Sequence, residues 1–400
     1  MIHLNQNSIK YLVGKEYVSS PLSFDVFDEH IIDFFDVLSK ELMKNSAAKK
    51  YPDITTFAFY IRRANANKLK ELYLKELDRV KKLGRGLVFH IAPSNVPVNF
   101  AYSLFSSLIC GNKNIVKVSS KEFEQVNIIC DAINNTLKGF GDLGEYITIV
   151  RYNNEKEITD YFSSICDVRV IWGGDNTIDL IKQSPVKPRC REVLFADRYS
   201  LLVIDSNYYS GLSDEDKIKV VHNVYNDTYL SDQNACTSPR LICFIGNNNV
   251  SNEFYNYLQT EVKKNYDYKS IFTTNKLLDT CKLAIDCDET KPKIVFHDNS
   301  NLIIRIIVNK LVNKVIDYSG RTGLFVECNI ESMNDLRDIC SDDRVQTITY
   351  IGDKDMFNDL IDMKLSGIDR IVPVGKSMDF NLIWDGYNLV EMFTRNIEIV

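Results

Sequence analysis

The chain has 400 residues, of which 45% are apolar and 26% are charged, and its formal net charge is −6. This length exceeds what one hydrophobic core normally organises, so we expect two or three domains. The composition excludes a disordered chain, and the mildly acidic mixture of both charge signs excludes a general affinity for nucleic acid.

Ten cysteines are spread singly along the chain, most of them within apolar stretches where a thiol behaves as a small buried hydrophobe. Unpaired thiols are typical of a reducing compartment, and the first residues lack the basic and apolar regions of a signal peptide. No apolar run approaches the roughly 20 residues that span a bilayer. We therefore expect a cytoplasmic protein with no integral membrane segment. The five histidines show no metal-ligand spacing, so no metal site is expected.

The first part of the chain, up to about residue 82, is predicted to be mostly helical and polar. Apolar residues stand three and four apart in the segments 33–43 and 69–77, which is the period of an amphipathic helix.

From Gly84 onward, short β-branched runs alternate with longer amphipathic segments. The predicted strands cover 87–92, 114–118, 146–150 and 168–172, with helices at 97–110, 121–138 and 155–165. This alternation predicts a doubly wound parallel sheet, and nucleotides usually bind at the carboxyl ends of such strands.

A second α/β region is predicted to begin near Asp205. Its helices are expected at 214–229 and 251–265, and its strands at 241–245, 323–327, 346–351 and 369–375. The expected organisation is a helical region at 1–83 packed on a nucleotide-binding domain at 84–204, a catalytic domain at 205–375, and a tail at 376–400 that returns to the first domain or to a partner subunit.

Three loops follow predicted strands with small or polar residues. In the loop 92–97, Pro93 and Pro97 hold Asn95 between them, and a fixed side-chain amide is a good donor to an oxyanion. The alternative is an asparagine that caps the following helix. His90, just upstream, is expected to be a satisfied core histidine rather than a residue that supports Asn95.

The second segment, 116–121, carries two lysines and two serines that could hold a ribose or a phosphate, and on spacing alone a solvated loop with a helix N-cap is the favoured alternative. The third contains Gly173 and Gly174 ahead of the next helix, where a backbone can approach a pyrophosphate. This pair alone is a weak motif, since no GxGxxG sequence accompanies it.

Cys236 differs from the other thiols because polar and small residues surround it, immediately before a predicted strand. A thiolate there would be a strong nucleophile toward thioesters and aldehydes. A neutral thiol at a strand edge remains the alternative reading of this local context.

Four segments, in this order, resemble the LuxC-type acyl-CoA reductases, a branch of the aldehyde dehydrogenase superfamily. They read GRGLVFHIAPSNVPVNFAYS at 84–103, GNKNIVKVSSK at 111–121, VIWGG at 170–174 and DQNACTSPR at 232–240. The resemblance runs from about residue 84 to the end of the chain. It implies an aldehyde-dehydrogenase-like α/β fold, with a doubly wound nucleotide-binding domain and a second α/β domain that carries the catalytic cysteine.

The resemblance also implies roles for individual residues. Cys236 corresponds to the acyl-accepting nucleophile, and Asn95 to the side chain that completes the oxyanion hole with the Cys236 backbone N–H. Lys117 corresponds to the lysine that contacts the adenosine ribose. The residues expected to line the cofactor are Ala92, Pro93, Ser94, Lys117, Ser119, Ser120, Lys121, Gly173 and Gly174.

Two departures from the superfamily pattern are informative. Ser120 stands where many NAD-preferring members place a glutamate, which favours NADPH, with NADH as the alternative. Leu194 stands where oxidising members carry the general-base glutamate that activates water, and the absence of this glutamate favours a reductase. Glu192 and Asp197 are candidates for a displaced base.

The resulting hypothesis is an NADPH-dependent reduction of an acyl-CoA, or of a protein-bound acyl thioester, to the aldehyde. The alternatives are an oxidising NAD(P)-dependent aldehyde dehydrogenase, a non-redox cysteine acyltransferase or thioesterase, and a catalytically silent scaffold. The resemblance further implies a homo-oligomer and an acyl-transferring partner enzyme.

Overall fold

The structure is a computed structural model, and it describes residues 8–74, 80–246, 250–298, 300–318 and 321–398. The chain divides into two compact units. The first unit holds the residues up to Ala196 together with those from Phe380 onward, and the second holds Asp197–Asp379.

The helices and strands of the described residues are, in chain order, β1 (Lys10–Val13), α1 (Glu29–Lys44), α2 (Pro52–Tyr60), α3 (Arg63–Leu74), β2 (Val80–Gly84), β3 (Leu87–Ile91), α4 (Asn99–Leu108), β4 (Lys113–Lys117), α5 (Glu124–Leu137), β5 (Ile147–Arg151), α6 (Lys156–Ile165), β6 (Val168–Trp172), α7 (Asp175–Lys182), β7 (Arg191–Phe195), β8 (Tyr199–Asp205), α8 (Ser206–Ser210), α9 (Asp214–Thr228), β9 (Pro239–Ile245), α10 (Ser251–Asn265), α11 (Ile271–Asp286), β10 (Lys293–Phe296), β11 (Ile304–Val308), β12 (Leu324–Ile330), α12 (Arg337–Cys340), β13 (Val345–Ile351), α13 (Asn358–Asp362), β14 (Arg370–Pro373), β15 (Ile383–Trp384), β16 (Tyr387–Asn388), α14 (Leu389–Phe393) and β17 (Thr394–Glu398).

The first unit is built on a six-stranded sheet in the order β1-β5-β4-β3-β6-β7. The strands from β5 to β7 in that order run parallel, and β1 pairs antiparallel with β5. Strands β3, β5 and β6 are buried along their whole length, as expected where helices cover both faces of a parallel sheet. The chain passes from β3 to β4 and β5 on one side of the sheet, and then to β6 and β7 on the other side of β3. The topological switch point therefore lies at the carboxyl ends of β3 and β6.

The region expected to be helical at the start of the chain also contributes two strands. Helices α1 to α3 are present, but β1 extends the sheet and β2 pairs with β17. The short sequences of these two strands have little intrinsic β propensity. They form strands because they pair with neighbouring strands. The helix expected at 69–77 is present as far as Leu74, and its last residues lie outside the described part of the chain.

The strands and helices expected between 87 and 172 are present within a few residues of their predicted bounds, as are those at 214–229, 241–245 and 251–265. The predicted strands do not include β7, β8, β10, β11, β15, β16 or β17. The apolar run Leu201–Ile204 within β8 is a clear strand signal, and all four of its residues are fully buried. Because β8 pairs with β9 and β13, the division of the chain lies at Ala196, ahead of the expected boundary at 204.

The second unit is built on a seven-stranded sheet in the order β10-β11-β12-β9-β8-β13-β14. All of these strands run parallel except β10, which pairs antiparallel with β11. Separate apolar clusters cover its two faces. The segment with Cys236 leads directly into β9, so that thiol lies at the amino end of a central strand.

The described residues from Phe380 onward belong with the first unit. Leu389, Val390 and Phe393 are buried in its main apolar cluster, and β17 pairs antiparallel with β2. Among the helices in the described ranges, none combines the length and the apolar character needed to cross a membrane.

Candidate active site

Asn95 lies in the loop that follows β3, at the switch point of the first sheet. The loop connects Ile91 to α4, and the Asn95 side chain is exposed. Helix α4 begins at Asn99 with Val98 as its N-cap, and no side chain caps it. Asn95 therefore does not cap this helix, and its amide makes no hydrogen bond to any residue that the structure describes. An amide presented in this way remains available to an incoming carbonyl oxygen.

Lys117 is the last residue of β4, the strand beside β3. Its Nζ lies 4.9 Å from the centre of the Tyr152 ring. Burial lowers the pKa of the Lys117 amine, and the nearby Glu155 carboxylate opposes that effect. The Lys117 carbonyl accepts a hydrogen bond from the Ala92 N–H at 2.9 Å, so the loops after β3 and β4 are joined at their start.

The loop after β4 is held by Arg151, which the sequence did not single out. The Arg151 Nε donates to the Ser119 carbonyl at 3.2 Å, and its Nη1 donates to Glu122 at 3.1 Å. Lys121 donates its backbone N–H to the Ser119 hydroxyl at 3.1 Å. Because Arg151 ends the adjacent strand β5, the same sheet edge carries the cations Lys117, Lys121 and Arg151.

Gly173 and Gly174 follow β6, on the other side of β3. Gly174 is the N-cap of α7, and no side chain bonds to the first backbone N–H groups of that helix. A Cβ on Gly173 would lie 3.1 Å from Thr177, so a side chain there would crowd the first turn of α7. Asp175 in this first turn supplies a negative charge of its own, which competes with an anion at the helix end.

These three loops fit a dinucleotide, because they meet at the edge of the sheet where its strand order reverses. Helix α4 opens this edge with no side-chain cap and no acidic residue in its first turn, which favours a phosphate group. The one carboxylate within the loop 117–122, that of Glu122, is occupied by Arg151. The loop after β4 and the start of α4 are therefore suited to an anionic ligand.

His90 is a buried core residue of β3. Its two ring nitrogens lie 2.7 Å from the Ser103 hydroxyl and 3.0 Å from the Asn114 side-chain oxygen. Burial lowers its pKa to about 4, although the hydrogen bond with Asn114 opposes this. Ser103 also accepts a hydrogen bond from the Trp172 indole at 3.1 Å. The imidazole is thus neutral and satisfied, as the sequence suggested.

In the second unit, Cys236 is half-buried in a turn between a short 3-10 helix at Tyr229–Ser231 and β9. The turn contains Asp232 and Gln233, both with positive φ, at 52° and 55°. The backbone carbonyl of Cys236 accepts a hydrogen bond from the Ser200 hydroxyl at 2.7 Å.

Gln233 is the main anchor of this turn. Its buried amide donates to the Pro239 carbonyl at 3.0 Å and accepts from the Gly323 N–H at 2.7 Å. Asp232 accepts a hydrogen bond from the Tyr266 hydroxyl at 2.5 Å. A loop with this many side-chain bonds to its neighbours presents Cys236 in one fixed backbone geometry.

Arg240 lies within the cysteine segment but was given no role from the sequence. Its guanidinium is buried, with one nitrogen 3.0 Å from the Arg198 carbonyl and another 3.4 Å from the Ala235 carbonyl. Burial lowers the Arg240 pKa, and the negative charges of Tyr199, Cys236 and Asp197, when ionised, oppose this. A buried cation therefore lies within electrostatic range of the candidate nucleophile.

Asp227, on α9, orders a second loop close to Cys236. It accepts hydrogen bonds from the N–H of Gly375 at 2.6 Å and from the N–H and hydroxyl of Ser377 at 3.1 and 2.8 Å. Burial raises its pKa to about 6 despite these bonds. The loop continues to Met378, whose sulfur accepts a hydrogen bond from Thr237 at 3.3 Å. Thr237 is the direct neighbour of Cys236, so this loop contacts the cysteine turn.

The candidates for a displaced base have different surroundings. Glu192 is engaged by the buried Arg169, with guanidinium nitrogens at 3.0 and 2.6 Å from one carboxylate oxygen. Leu194 lies on the same strand, β7, and is partly buried. Asp197 is exposed in the second unit, and its charge, like that of Cys236, acts on Arg240.

The chain has the fold of the aldehyde dehydrogenases. Aldehyde dehydrogenase 21 from Physcomitrella patens has the same fold with a TM-score of 0.64, at 12% identity, over 94% of this chain and 86% of that one. Betaine aldehyde dehydrogenase from Staphylococcus aureus, solved with NAD+, gives a TM-score of 0.62 at 14% identity over 93% and 82% of the two chains.

The family model described as acyl-CoA reductase (LuxC) matches residues 67–395, and the chain belongs to this family. It is similar to the long-chain acyl-protein thioester reductase of Photobacterium phosphoreum, with 24% identity over 318 residues, 76% of this chain and 60% of the relative. The corresponding reductase of Aliivibrio fischeri is 24% identical over 172 residues, 42% of this chain and 34% of that protein. The chain thus spans 60% or less of the length of these two relatives.

Proposed function

We propose that this protein reduces an acyl thioester to the corresponding aldehyde with NADPH, through an acyl thioester on Cys236. The observation that carries the proposal is the presentation of Cys236, half-buried on a turn fixed by Gln233 and Ser200, within electrostatic range of the Arg240 guanidinium. Membership of the LuxC family and the aldehyde dehydrogenase fold support this chemistry.

The first stage is acyl transfer to the protein. The Cys236 thiolate attacks the carbonyl carbon of the substrate thioester, and the Asn95 amide donates a hydrogen bond to the developing oxyanion. The thiol of the substrate leaves, and the acyl group remains on Cys236. Arg240 favours the thiolate before the attack, because a positive charge stabilises the ionised form of a neighbouring thiol.

The second stage is reduction. When bound, NADPH would supply a hydride to the acyl carbon. The side chains proposed to hold it are Lys117 and Lys121 at the ribose and its phosphate, with the Gly173–Gly174 turn and the start of α4 at the pyrophosphate. Asn95 again donates to the oxyanion, and Cys236 leaves as a thiolate when the aldehyde is released.

The preference for NADPH over NADH rests on the loop after β4. Ser120 is exposed and uncharged, and the cations Lys117 and Lys121 lie in the same short loop. A 2′-phosphate would be repelled by a carboxylate at position 120, so a Ser120→Glu variant should favour NADH.

The test of this function is NADPH oxidation measured against acyl-CoA substrates of increasing chain length and against an acyl-protein thioester. The Cys236→Ala variant is the main control, and Cys281→Ala is a matched control because Cys281 is an exposed thiol on α11. We expect Cys236→Ala to abolish both NADPH consumption and the transfer of the acyl group to this protein, while Cys281→Ala retains both. Consumption by Cys236→Ala at the rate of the natural protein would refute the proposal.

The same experiment separates the reductase from its main rival, an oxidising dehydrogenase. A reductase yields aldehyde from thioester, whereas an oxidising enzyme would hydrolyse the acyl-enzyme with an activated water. The engagement of Glu192 by Arg169 disfavours Glu192 as that base. A reductase needs no base that activates water, so replacement of the exposed Asp197 by Asn should leave aldehyde formation intact. Loss of acyl-enzyme hydrolysis in that variant would instead identify Asp197 as a base.

A further inference from the structure

Two cysteines outside the candidate active site face each other at the amino ends of neighbouring strands. Cys166 follows α6 and precedes β6, while Cys190 directly precedes β7. In the parallel pairing of these strands Val168 lies opposite Arg191, which brings the two thiols side by side. Their sulfur atoms are 3.8 Å apart, although the residues are 24 positions apart in the chain.

The two thiols have unequal surroundings. Cys166 is fully buried, and its thiol also lies 3.2 Å from the Ser163 carbonyl, whereas Cys190 is partly exposed. The hydrogen bond between the two thiols lowers the pKa of Cys190 and raises that of Cys166. The nearby Arg169 guanidinium lowers both values, and the carboxylate of Asp167 opposes it. The accessible thiol is thus also the one that ionises more readily.

We propose that Cys166 and Cys190 form a reversible redox site that a hydroperoxide oxidises to a disulfide. The Cys190 thiolate attacks one oxygen of the peroxide bond, which gives a sulfenic acid on Cys190 and releases water or an alcohol. The Cys166 sulfur then displaces the hydroxyl from this sulfenic acid as a second water, and the S–S bond forms. Two electrons and two thiol protons leave the protein and reduce the peroxide, and an external dithiol reverses the reaction by exchange.

The disulfide would close a covalent loop around the candidate cofactor turn. The segment between the two cysteines contains β6, the Gly173–Gly174 turn and α7, followed by an irregular stretch at 183–190. Oxidation should therefore restrict the opening of this segment, since a cross-link removes conformational freedom from the chain that it encloses.

The experiment uses the full chain with Cys236 and Cys281 replaced by Ser, which removes the proposed nucleophile and the exposed thiol of α11. The protein is treated with hydrogen peroxide, digested without reduction and mapped by mass spectrometry. We expect a linked pair of peptides containing Cys166 and Cys190, short of two hydrogens, that dithiothreitol returns to the free thiols. Hydrogen exchange over 183–190 should slow in the oxidised form.

Two further variants and an internal control make the result decisive. Cys166→Ser should stop at a sulfenic acid on Cys190 that dimedone traps, whereas Cys190→Ser should leave Cys166 reduced. Cys243 and Cys328 are a matched pair, because they lie opposite each other on β9 and β12 but are both buried. The redox site is contradicted if Cys166 and Cys190 remain reduced, or if they cross-link no faster than Cys243 and Cys328. Because Cys236 is absent, either outcome is independent of the proposed reductase activity.

Discussion

Arg240 is the residue whose proposed role is easiest to separate from a structural one. Its buried guanidinium bonds to the Arg198 and Ala235 carbonyls, and its charge acts on Cys236. Replacement by Met removes the cation, so we expect alkylation of Cys236 by iodoacetamide at neutral pH to slow roughly tenfold, equivalent to about 1.4 kcal/mol. The pH at which the alkylation rate reaches half of its maximum should also rise.

The exposed Cys281 provides an internal reference in the same sample, because its alkylation reports any general change in folding or reagent. Arg240→Lys keeps the charge and should recover part of the Cys236 rate. Equal slowing of Cys236 in the Met and Lys variants would show that Arg240 acts only by shaping the turn.

Asn95 offers a test of the oxyanion role through turnover. The loss of one oxyanion donor typically lowers kcat roughly 100- to 1,000-fold, so Asn95→Ala should lower kcat by that order with little change in KM. Asn95→Asp has nearly the same shape but no N–H donors, and we expect it to be equally slow. Recovery of kcat by the Asp variant would argue against hydrogen-bond donation.

The buried His90 should make the free energy of unfolding depend on pH. Its folded pKa is about 4, below the usual value of 6.5, because burial disfavours the charged imidazolium. A base with a depressed folded pKa contributes stability above pH 6.5 that is lost as the pH falls toward 4. This loss is about 3 kcal/mol for His90 alone.

Denaturant unfolding between pH 7 and pH 4 measures this effect. Gln at position 90 can still bond to Ser103 and Asn114 but does not titrate, so the free energy of unfolding of His90→Gln should fall less over that interval. Parallel curves for the two proteins would remove His90 from the explanation of acid sensitivity.

At the scale of elements, the turn before β9 depends on a single buried side chain. Gln233→Leu would leave the Gly323 N–H and the Pro239 carbonyl without their partner, which should lower the free energy of unfolding by roughly 2–4 kcal/mol. An ionised Glu at position 233 keeps the acceptor for Gly323 but loses the donor to Pro239 and buries a charge, so Gln233→Glu should also be destabilised at neutral pH. Unchanged unfolding of the Leu variant would mean that backbone contacts alone hold the turn.

The elements that were predictable from sequence are those with a strong local pattern. Strands such as β6 and helices such as α10 have periodic apolar residues, and their bounds were predicted closely. Strands β1 and β2 carry weak patterns and exist because they pair with β5 and β17, which are far away in the sequence. No local pattern could reveal these pairings.

At the scale of the whole molecule, the two units have different connectivity. The second unit is one continuous segment, 197–379, with its own sheet and apolar clusters, whereas the first unit needs the returning residues from Phe380 onward. We expect an excised 197–379 fragment to unfold cooperatively on heating. A fragment ending at Ala196 lacks β17 and the buried side chains of Leu389, Val390 and Phe393, and should not.

Circular dichroism during heating measures both fragments, and joining 380–398 to the fragment that ends at Ala196 through a flexible linker is the control that should restore a transition. Cooperative unfolding of the fragment that ends at Ala196 would show that the C-terminal residues are dispensable for the first unit.

The sequence by itself determined the parallel sheet of the first unit, the family and the choice of the candidate residues Asn95, Lys117 and Cys236, because these depend on local patterns and short motifs. Only the tertiary structure decided what surrounds them. Three such contacts join residues that are distant in the chain or have no distinctive sequence pattern. They are Arg240 beside the cysteine turn, Gln233 bonded to Gly323, and Cys166 facing Cys190. Burial, charge and hydrogen-bond partners depend on such long-range contacts, and they set the chemistry of each side chain.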